Sequence, residues 1–223
     1  MVDSHQAIYE SIVQAGHLKG DAVYVFEKFG GEKTICRAKD LFENIAAFEK
    51  EALKNIKKGD RVLDIGAGGG RISFYLQEKG YDITALEKSK LICRVLKERR
   101  MKKIINIDIF EYFPRKKYDT ALIVNVFSIF GEEKENIAKL FAHVAQKVLK
   151  KFGKLIFISV DTKSGKTEFL KRRFIFDKKI GKWLKSFYSS SKEIMQEAKK
   201  NGFFLKKYKK NKKRQYCLIL KRL

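Results

Sequence analysis

The sequence contains little proline, cysteine, histidine or tryptophan. Its 223 residues include one proline, three cysteines, three histidines and one tryptophan. Cys36, Cys93 and Cys217 are scattered, so their spacing matches neither a disulfide framework nor a metal site, and we predict no metal. This cysteine usage indicates a reducing, cytoplasmic setting.

Long apolar runs are also lacking. No run approaches the roughly 18 residues that a membrane-spanning helix needs. The N-terminus, with Asp3, His5 and Glu10 among its first residues, lacks the basic and apolar blocks of a signal peptide. We therefore expect no membrane segment, and a length that suits one α/β domain with a substantial core.

Positive charge is abundant. There are 50 Lys and Arg residues against 26 Asp and Glu residues, giving a formal net charge of +24. A surface this basic attracts polyanions such as RNA through counterion release. The lysines are spread over most of the chain, and lysine enrichment also accompanies heat adaptation, so charge alone does not establish a nucleic-acid ligand.

The most informative stretch runs from Arg61 to Leu76. An apolar strand, 61–65, breaks into glycines and then into a helical pattern that reaches about Lys79. Strand, turn and helix in this order form a ligand crevice at the carboxyl end of a strand in a doubly wound α/β sheet. Glycine permits a positive φ at the turn and lets a ligand approach the backbone, while the helix N-terminus attracts a negative group.

The spacing of the glycines narrows the choice of ligand. Arg71 occupies the position where the dinucleotide-binding fingerprint has its third glycine, and no Gly-Lys-Ser/Thr follows Gly70 as a P-loop would require. The remaining pattern is Asp64-x-Gly66-x-Gly68-x-Gly70. It resembles the first motif of the class I S-adenosylmethionine-dependent methyltransferases.

Two downstream positions agree with this resemblance. Glu87 ends the second predicted core strand, 81–86, where an acidic side chain can accept both ribose hydroxyls of an adenosine ligand. Asp108 follows the third predicted strand, 103–107, where the family binds the adenine amino group between apolar neighbours. Asp108 could instead be a helix N-cap or turn residue.

The resemblance implies a set of residues that bind S-adenosylmethionine. They are Asp64, Gly66, Ala67, Gly68, Gly70, Glu87, Lys88, Asp108, Ile109, Phe110, Asn125 and Val126.

Asn125 follows the fourth predicted strand, 118–124, whose nearly continuous apolar run is typical of a strand buried on both faces. The family members that methylate nucleic-acid and glutamine amino groups carry an Asn/Asp-Pro-Pro-aromatic run at this strand tip. This chain has none, which argues against exocyclic amines as targets.

The resemblance implies a Rossmann-like α/β fold over residues 61–223. Its seven-stranded doubly wound sheet has the strand order 3-2-1-4-5-7-6, with the last strand antiparallel. Residues 1–60 are predicted to form a lid of helices, one of them at 41–56, and a hairpin. A long helix is predicted over 132–151, and a β-ribbon insertion at about 165–190.

The ribbon interleaves aromatic and basic residues, which suits either stacking on nucleic-acid bases or closing a small-molecule pocket. We favour the pocket because the aromatic residues are spaced to pack onto the domain. The lysine-rich turn 209–214 is predicted to be solvated, with a polyanion contact as the alternative.

The expected chemistry is methyl transfer from a sulfonium by in-line displacement, which depends mainly on positioning. A small-molecule acceptor is favoured over RNA. Rivals are an aminopropyltransferase and a non-catalytic nucleic-acid-binding protein of the same fold. No catalytic residue is assigned, and oligomeric state is open. Candidates for a general base are His5, Tyr9, His17, Asn125, Asp161 and Tyr188.

Overall fold

A computed structural model describes residues 5–19, 21–28, 31–125, 135–162, 164, 168–188 and 190–223. The first elements are α1 (His5–Lys19), β1 (Val23–Lys28), β2 (Lys33–Arg37) and α2 (Ala47–Leu53). The central elements are β3 (Arg61–Ile65), α3 (Arg71–Glu78), β4 (Asp82–Leu86), α4 (Lys90–Glu98), β5 (Ile104–Ile105), β6 (Tyr118–Val124), α5 (Glu135–His143) and β7 (Leu149–Val160). The last elements are β8 (Glu168–Phe176), β9 (Lys179–Ile180), β10 (Leu184–Tyr188), α6 (Ser191–Lys200), β11 (Phe203–Lys210) and β12 (Gln215–Arg222).

Seven strands form the main sheet in the order β11-β12-β7-β6-β3-β4-β5. The five strands from β7 to β5 are parallel, and β12 pairs antiparallel with both of its neighbours. Counted along the chain from β3, this is the predicted order 3-2-1-4-5-7-6 with an antiparallel last strand. The predicted order and directions of the main sheet are therefore confirmed, although the third strand is shorter than expected.

The main sheet is buried on both faces. Leu63 and Phe157 point to one face and pack with the side chains of α5 and α6. Leu122 and Ile156 point to the other face and pack with the side chains of α2 and α3. Because successive residues of a strand face opposite sides, a strand covered on both sides is mostly apolar, as β6 is from Ala121 to Val124.

A second, antiparallel sheet has the strand order β10-β8-β1-β2, with β9 paired to β8. The N-terminal hairpin and the ribbon at 168–188 were expected as separate features, but β8 pairs directly with β1. An ion pair between Arg173 Nε and Glu27 Oε2, 2.6 Å apart, joins the same two strands. Ile8 and Ile12 of α1 pack with Phe174 of this sheet.

The helix predicted over 41–56 is wrong in extent. A 3-10 helix spans Ala38–Leu41, and α2 begins only at Ala47. Asn44 between them has φ +63, which interrupts a helix. The Glu49 carboxylate accepts a hydrogen bond from the Ala46 N–H at 2.9 Å, which fixes the start of α2.

For the helix predicted over 132–151, the predicted end is also wrong, because the helical residues stop before Leu149. After α5 comes one π-helical turn, Val144–Val148, and β7 already begins at Leu149. Leu149 pairs with Tyr118 and Lys154 with Thr120, so 150–153 bulge outward. The helical apolar spacing thus continues into a strand that is buried against β6, and the start of the predicted helix lies outside the described residues.

The turn after β3 gives a testable prediction. Gly70 has φ +83, and a Cβ there would lie 2.5 Å from Leu96 Cδ2 and 2.8 Å from Phe74 Cε2. Gly59 has a similar φ of +86, with nothing within 4 Å of its Cβ position. We expect Gly59→Ala to lower the free energy of unfolding by about 1–2 kcal/mol through backbone strain alone.

We expect Gly70→Ala to lower the free energy of unfolding by about 1–3 kcal/mol more than Gly59→Ala does, because the fully buried Leu96 cannot move aside without disturbing the core. Urea unfolding of both variants measures the difference. Equal losses for the two variants would show that close packing does not constrain this turn.

Candidate functional site

The glycine turn lies across the carboxyl ends of β3 and β4. The N–H groups of Gly66 and Ala67 donate to Leu86 O at 2.9 and 3.1 Å. Gly66 and Gly68 have φ values of +71 and +53, which favour glycine. The turn therefore stays tight against the neighbouring strand, and its backbone forms a wall for a ligand.

Asp64 is buried at the end of β3. Its Oδ2 accepts a hydrogen bond of 2.7 Å from the Ser73 hydroxyl on α3. Burial raises the pKa of Asp64 to about 6, although the Ser73 hydrogen bond and the charge of Arg71 favour the ionised form. Asp64 thus couples β3 to the helix that follows the turn.

Glu87 is buried beside the same turn. Its two carboxylate oxygens accept hydrogen bonds from the Gly68 N–H at 3.1 Å and the Ser89 N–H at 2.9 Å. Burial raises its pKa, and these backbone hydrogen bonds act in the opposite direction. Ser89 also caps α4, whereas the neighbouring Lys88 side chain is exposed.

The residues after β5 are arranged as a cap. Asp108 precedes a 3-10 helix, Ile109–Glu111, and its carboxylate accepts a hydrogen bond from the Phe110 N–H at 3.0 Å. Ile109 is buried in the main core, and Phe110 is half-buried with its ring edge against His143, 6.2 Å between centroids. Asp108 therefore acts as the N-cap that the sequence left open as an alternative.

Asn125 lies at the tip of β6 with φ +56, and its side chain is exposed. Its N–H donates to Ile158 O at 2.9 Å. The left-handed backbone turns the chain away from the sheet at the strand end. Val126, the next predicted site residue, lies outside the described residues.

A cavity of about 590 Å³ opens in front of the glycine turn. It brings together five of the predicted residues: Asp64, Gly66, Ala67, Gly68 and Asn125. Most of the remaining wall comes from the N-terminal region: Tyr9, Tyr24, Ile35, Cys36, Asp40, Leu41, Asn44, Ala46 and Glu49. Phe174 of β8 and Gln215 of β12 also contribute.

Helix α1 approaches the glycine turn closely. A Cβ on Gly68 would lie 2.8 Å from the Tyr9 hydroxyl oxygen. Burial raises the pKa of Tyr9, and the charge of Glu87 raises it further. Next to Tyr9, the Glu10 carboxylate accepts a hydrogen bond of 2.6 Å from the Ser89 hydroxyl. Sequence analysis gave Tyr9 only as a candidate base and did not predict its close approach to Gly68.

Arg71 and Glu49 form a buried ion pair in the cavity wall. Arg71 Nη2 lies 2.8 Å from Glu49 Oε1, and its Nη1 contacts the other oxygen. Sequence analysis considered Arg71 only as a mismatch to the dinucleotide fingerprint. A positively charged residue at the first position of the helix after the turn was a signal for an ion pair. The sequence alone, however, did not identify Glu49 in α2 as its partner.

The predicted base candidates are dispersed. Tyr9 and Asn125 line the cavity, whereas His17 contacts Glu98 at 3.0 Å on another surface. Asp161 accepts hydrogen bonds from the Ser191 N–H and hydroxyl, at 3.0 and 2.9 Å, and stabilises the start of α6. The side chains of His5 and Tyr188 lie outside the described residues.

Within the described part of the chain, no group of three or more His, Cys, Asp and Glu residues is arranged to hold a metal ion. None of the helices in that part combines the length and the apolar character needed to cross a membrane.

The buried carboxyl of Asp64 gives a prediction about pH. Its folded pKa of about 6 lies above the usual value for an aspartate in an unfolded chain, about 3.9. The native state therefore holds the proton more tightly, and ionised Asp64 reduces stability progressively as pH rises through this window. Above the window the full cost is present.

We expect Asp64→Asn, which keeps an acceptor for Ser73, to gain stability relative to the unsubstituted protein across this window. The gain should approach about 3 kcal/mol, at 1.36 kcal/mol per pKa unit. Urea unfolding at a series of pH values measures it. Asp177→Asn, an exposed substitution at a turn, should show no such trend. A difference independent of pH for Asp64→Asn would contradict the assignment.

Known proteins share this architecture. A family model described as a methyltransferase domain matches residues 37–206. A Bacteroides fragilis S-adenosylmethionine-dependent methyltransferase, solved with S-adenosyl-L-homocysteine, has a TM-score of 0.83 and 21% identity, covering 100% of this chain and 97% of that chain. The glycopeptide N-methyltransferase MtfA, solved with S-adenosylmethionine, has a TM-score of 0.61 and 16% identity, covering 77% and 90%.

An rRNA adenine N-6-methyltransferase from Limosilactobacillus reuteri is 30% identical over 95 residues. The match covers 40% of this chain and 36% of that protein, so only about a third of the relative's length is spanned. The family model, by contrast, covers most of the chain, from the end of β2 into β11. The chain therefore belongs to the methyltransferase-domain family and has the fold of the class I S-adenosylmethionine-dependent methyltransferases.

Proposed function

We propose that this protein transfers a methyl group from S-adenosylmethionine to a small-molecule acceptor. The observation that carries the proposal is the cavity in front of the glycine turn. One side of it is the turn itself, and the other side is formed by α1, the second sheet and the segment before α2. Its volume of about 590 Å³ falls within the usual range for small-molecule sites, about 300–1,000 Å³.

The contacts around the turn support our assignment of the cofactor side. Gly66 and Gly68 place the backbone next to the methionyl part, and Asp64 faces its amino group. Glu87 holds the ribose hydroxyls, since its carboxylate is already fixed by two backbone N–H groups. Asp108 lies at the adenine end, supported by the 3-10 helix that it caps.

Of the other proposed cofactor residues, Gly70 shapes the turn and Ala67 lines the cavity. Phe110 is half-buried and can flank the adenine, whereas the buried Ile109 supports that segment from the core. Lys88 and Val126 remain proposed only by position.

Methyl transfer needs acceptor, methyl carbon and sulfur in one line. Positioning can supply about 7–11 kcal/mol of the barrier when the reacting groups are held in a near-attack geometry. The rigid parts of this site are the glycine turn and the buried Asp64 and Glu87 carboxyls. We propose that α1 and the second sheet form the lid that fixes the acceptor, because Tyr9 contacts the turn and Phe174 contacts Tyr9.

RNA is the second candidate acceptor. Strand β11 is exposed along nearly its whole length and carries Phe204, Leu205 and Tyr208 among lysines. Exposed aromatic rings beside cations can stack on bases and hold phosphates. The net charge of +24 and the partial match to an rRNA methyltransferase support this candidate. This strand lies on the edge of the main sheet farthest from β5.

The ribose assignment predicts a loss of cofactor affinity in Glu87→Gln. The substitution removes the charge that accepts the ribose hydroxyls, and hydrogen bonds to charged groups contribute about 1.5–3 kcal/mol each. Calorimetry with S-adenosylhomocysteine should show a Kd at least about tenfold higher. Glu78→Gln, an exposed substitution on α3, is the control. Equal affinities in both variants would remove the ribose role of Glu87.

The acceptor class predicts where a labelled methyl group goes. The purified protein is incubated with methyl-labelled S-adenosylmethionine and with cell extract separated into small-molecule, RNA and protein fractions. We expect the label in the small-molecule fraction, because the cavity has the volume of a small-molecule site and is lined on one side by α1 and the second sheet. Label confined to RNA would replace the proposed acceptor with the second candidate.

A further inference from the structure

Three aromatic rings surround the acceptor side of the cavity. The rings of Tyr9 and Phe174 are nearly parallel, with centroids 6.1 Å apart and an interplanar angle of 27°. Tyr24 meets Phe174 edge-on, at 5.6 Å and 76°. All three line the cavity. Aromatic faces carry negative electrostatic potential and attract cations within about 6 Å of the ring centroid.

The charges in the cavity wall are mostly negative. Three carboxylates and one cation are among its described lining residues: Asp40, Glu49, Asp64 and Arg71. In the whole chain, by contrast, Lys and Arg outnumber Asp and Glu by 50 to 26. The single lining cation is paired with Glu49. Asp40 is likewise paired with Arg37, whose Nη2 lies 3.0 Å from Asp40 Oδ1. The described lining residues therefore include no unpaired cation, which disfavours an anionic acceptor.

Asp40 lines the cavity together with Tyr24 and Phe174. Burial is the main reason that the pKa values of Tyr24 and Cys36, which face each other across β1 and β2, are raised, and the charge of Asp40 adds to both shifts. Arg37 and Asn44 donate hydrogen bonds to Asp40, and they hold the pKa of its carboxyl below the usual range. Three of its roughly four lone-pair sites are thus occupied, which leaves room for one further donor.

We propose that the acceptor is a small cationic amine with an apolar or aromatic body. Its ammonium group faces Asp40, and its body packs against Tyr24 and Phe174. This inference rests on the function proposed above and specifies its substrate class. The absence of the Asn/Asp-Pro-Pro-aromatic run after β6 is consistent with this proposal. Family members with that run methylate amino groups whose lone pair is delocalised into a base or an amide, whereas the lone pair of an alkyl amine is not delocalised.

The reaction balances with the groups present. The bound ammonium first loses one proton to solvent, since a protonated nitrogen has no lone pair. The nitrogen lone pair then forms the N–C bond while the C–S bond breaks and its electrons pass to sulfur. A neutral amine and a sulfonium become a methylammonium and a neutral thioether, so the total charge is conserved.

The proposal can be tested with three probes that share a phenyl ring and a short chain: phenethylamine, phenethyl alcohol and hydrocinnamate. Calorimetry is performed on the full chain saturated with S-adenosylhomocysteine. We expect the amine to bind at least tenfold more tightly than the alcohol, and the carboxylate most weakly. With labelled S-adenosylmethionine, methylation of the amine should accelerate as pH rises towards the pKa of the amine.

Asp40→Asn should reduce the preference for amine over alcohol about tenfold, and Asp21→Asn, an exposed substitution outside the cavity, should preserve it. The readout is a ratio within one protein, so a folding defect that weakens both probes does not imitate the effect. An alcohol or carboxylate that binds as well as the amine, an amine that fails to bind, or an unchanged ratio in Asp40→Asn would overturn the proposal. Failure of S-adenosylhomocysteine itself to bind would instead contradict the methyltransferase function.

Discussion

The buried ion pair between Arg71 and Glu49 is the interaction on which the cavity depends. Glu49 is nearly inaccessible, and a buried carboxylate without a partner would destabilise the protein by about 3–5 kcal/mol. The pair connects the first residue of α3, directly after the glycine turn, to α2. Glu49 also fixes the start of α2 through the Ala46 N–H. The Glu49 carboxylate therefore holds the N-terminal segment against the glycine turn.

A second close approach acts at the same place. A Cβ on Gly69 would lie 2.6 Å from Leu41 O, in the 3-10 helix before α2. Only glycine lets the two backbones approach this closely. Gly69 is the one glycine of the run that the methyltransferase motif does not require, and its role here concerns the contact between segments. One side of the turn thus meets the N-terminal region, and the other side is the wall that we propose meets the cofactor.

Local signals in the sequence predicted the main strands of the large sheet, whereas the order of those strands followed from the family resemblance. The apolar run of β6 predicted burial on both faces, and the alternation of glycines predicted the turn with positive φ. Ser190 caps α6 in the same local way, because its hydroxyl accepts a hydrogen bond from the Glu193 N–H at 3.3 Å. Each of these features depends on residues within a few positions of each other, and therefore on propensity and hydrogen bonding that a single sequence displays.

The acceptor side could not be predicted in the same way, because it forms between distant segments. Glu27 and Arg173 are 146 positions apart, and neither the hairpin nor the ribbon reveals that their edges pair. An exposed strand edge can accept many partners, so its choice depends on packing of the whole molecule. Residues 41–56, which have helical spacing, are likewise divided between the end of a 3-10 helix and α2. The partner of Glu49 in α2 is Arg71, which is distant in sequence.

Charge acts in two different ways on the surface and in the cavity of this protein, and the net charge of the chain does not distinguish them. The field of the surface lysines is screened over about 8 Å at physiological ionic strength, so it acts mainly on encounter with large polyanions. In the cavity wall, Asp40, Asp64 and Glu49 act at short range, and the buried Asp64 and Glu49 are screened less than surface charges. A net charge of +24 therefore says little about which acceptor is bound. We propose that selection depends on the few carboxylates of the cavity wall and on the aromatic rings that α1 and the second sheet place beside the glycine turn.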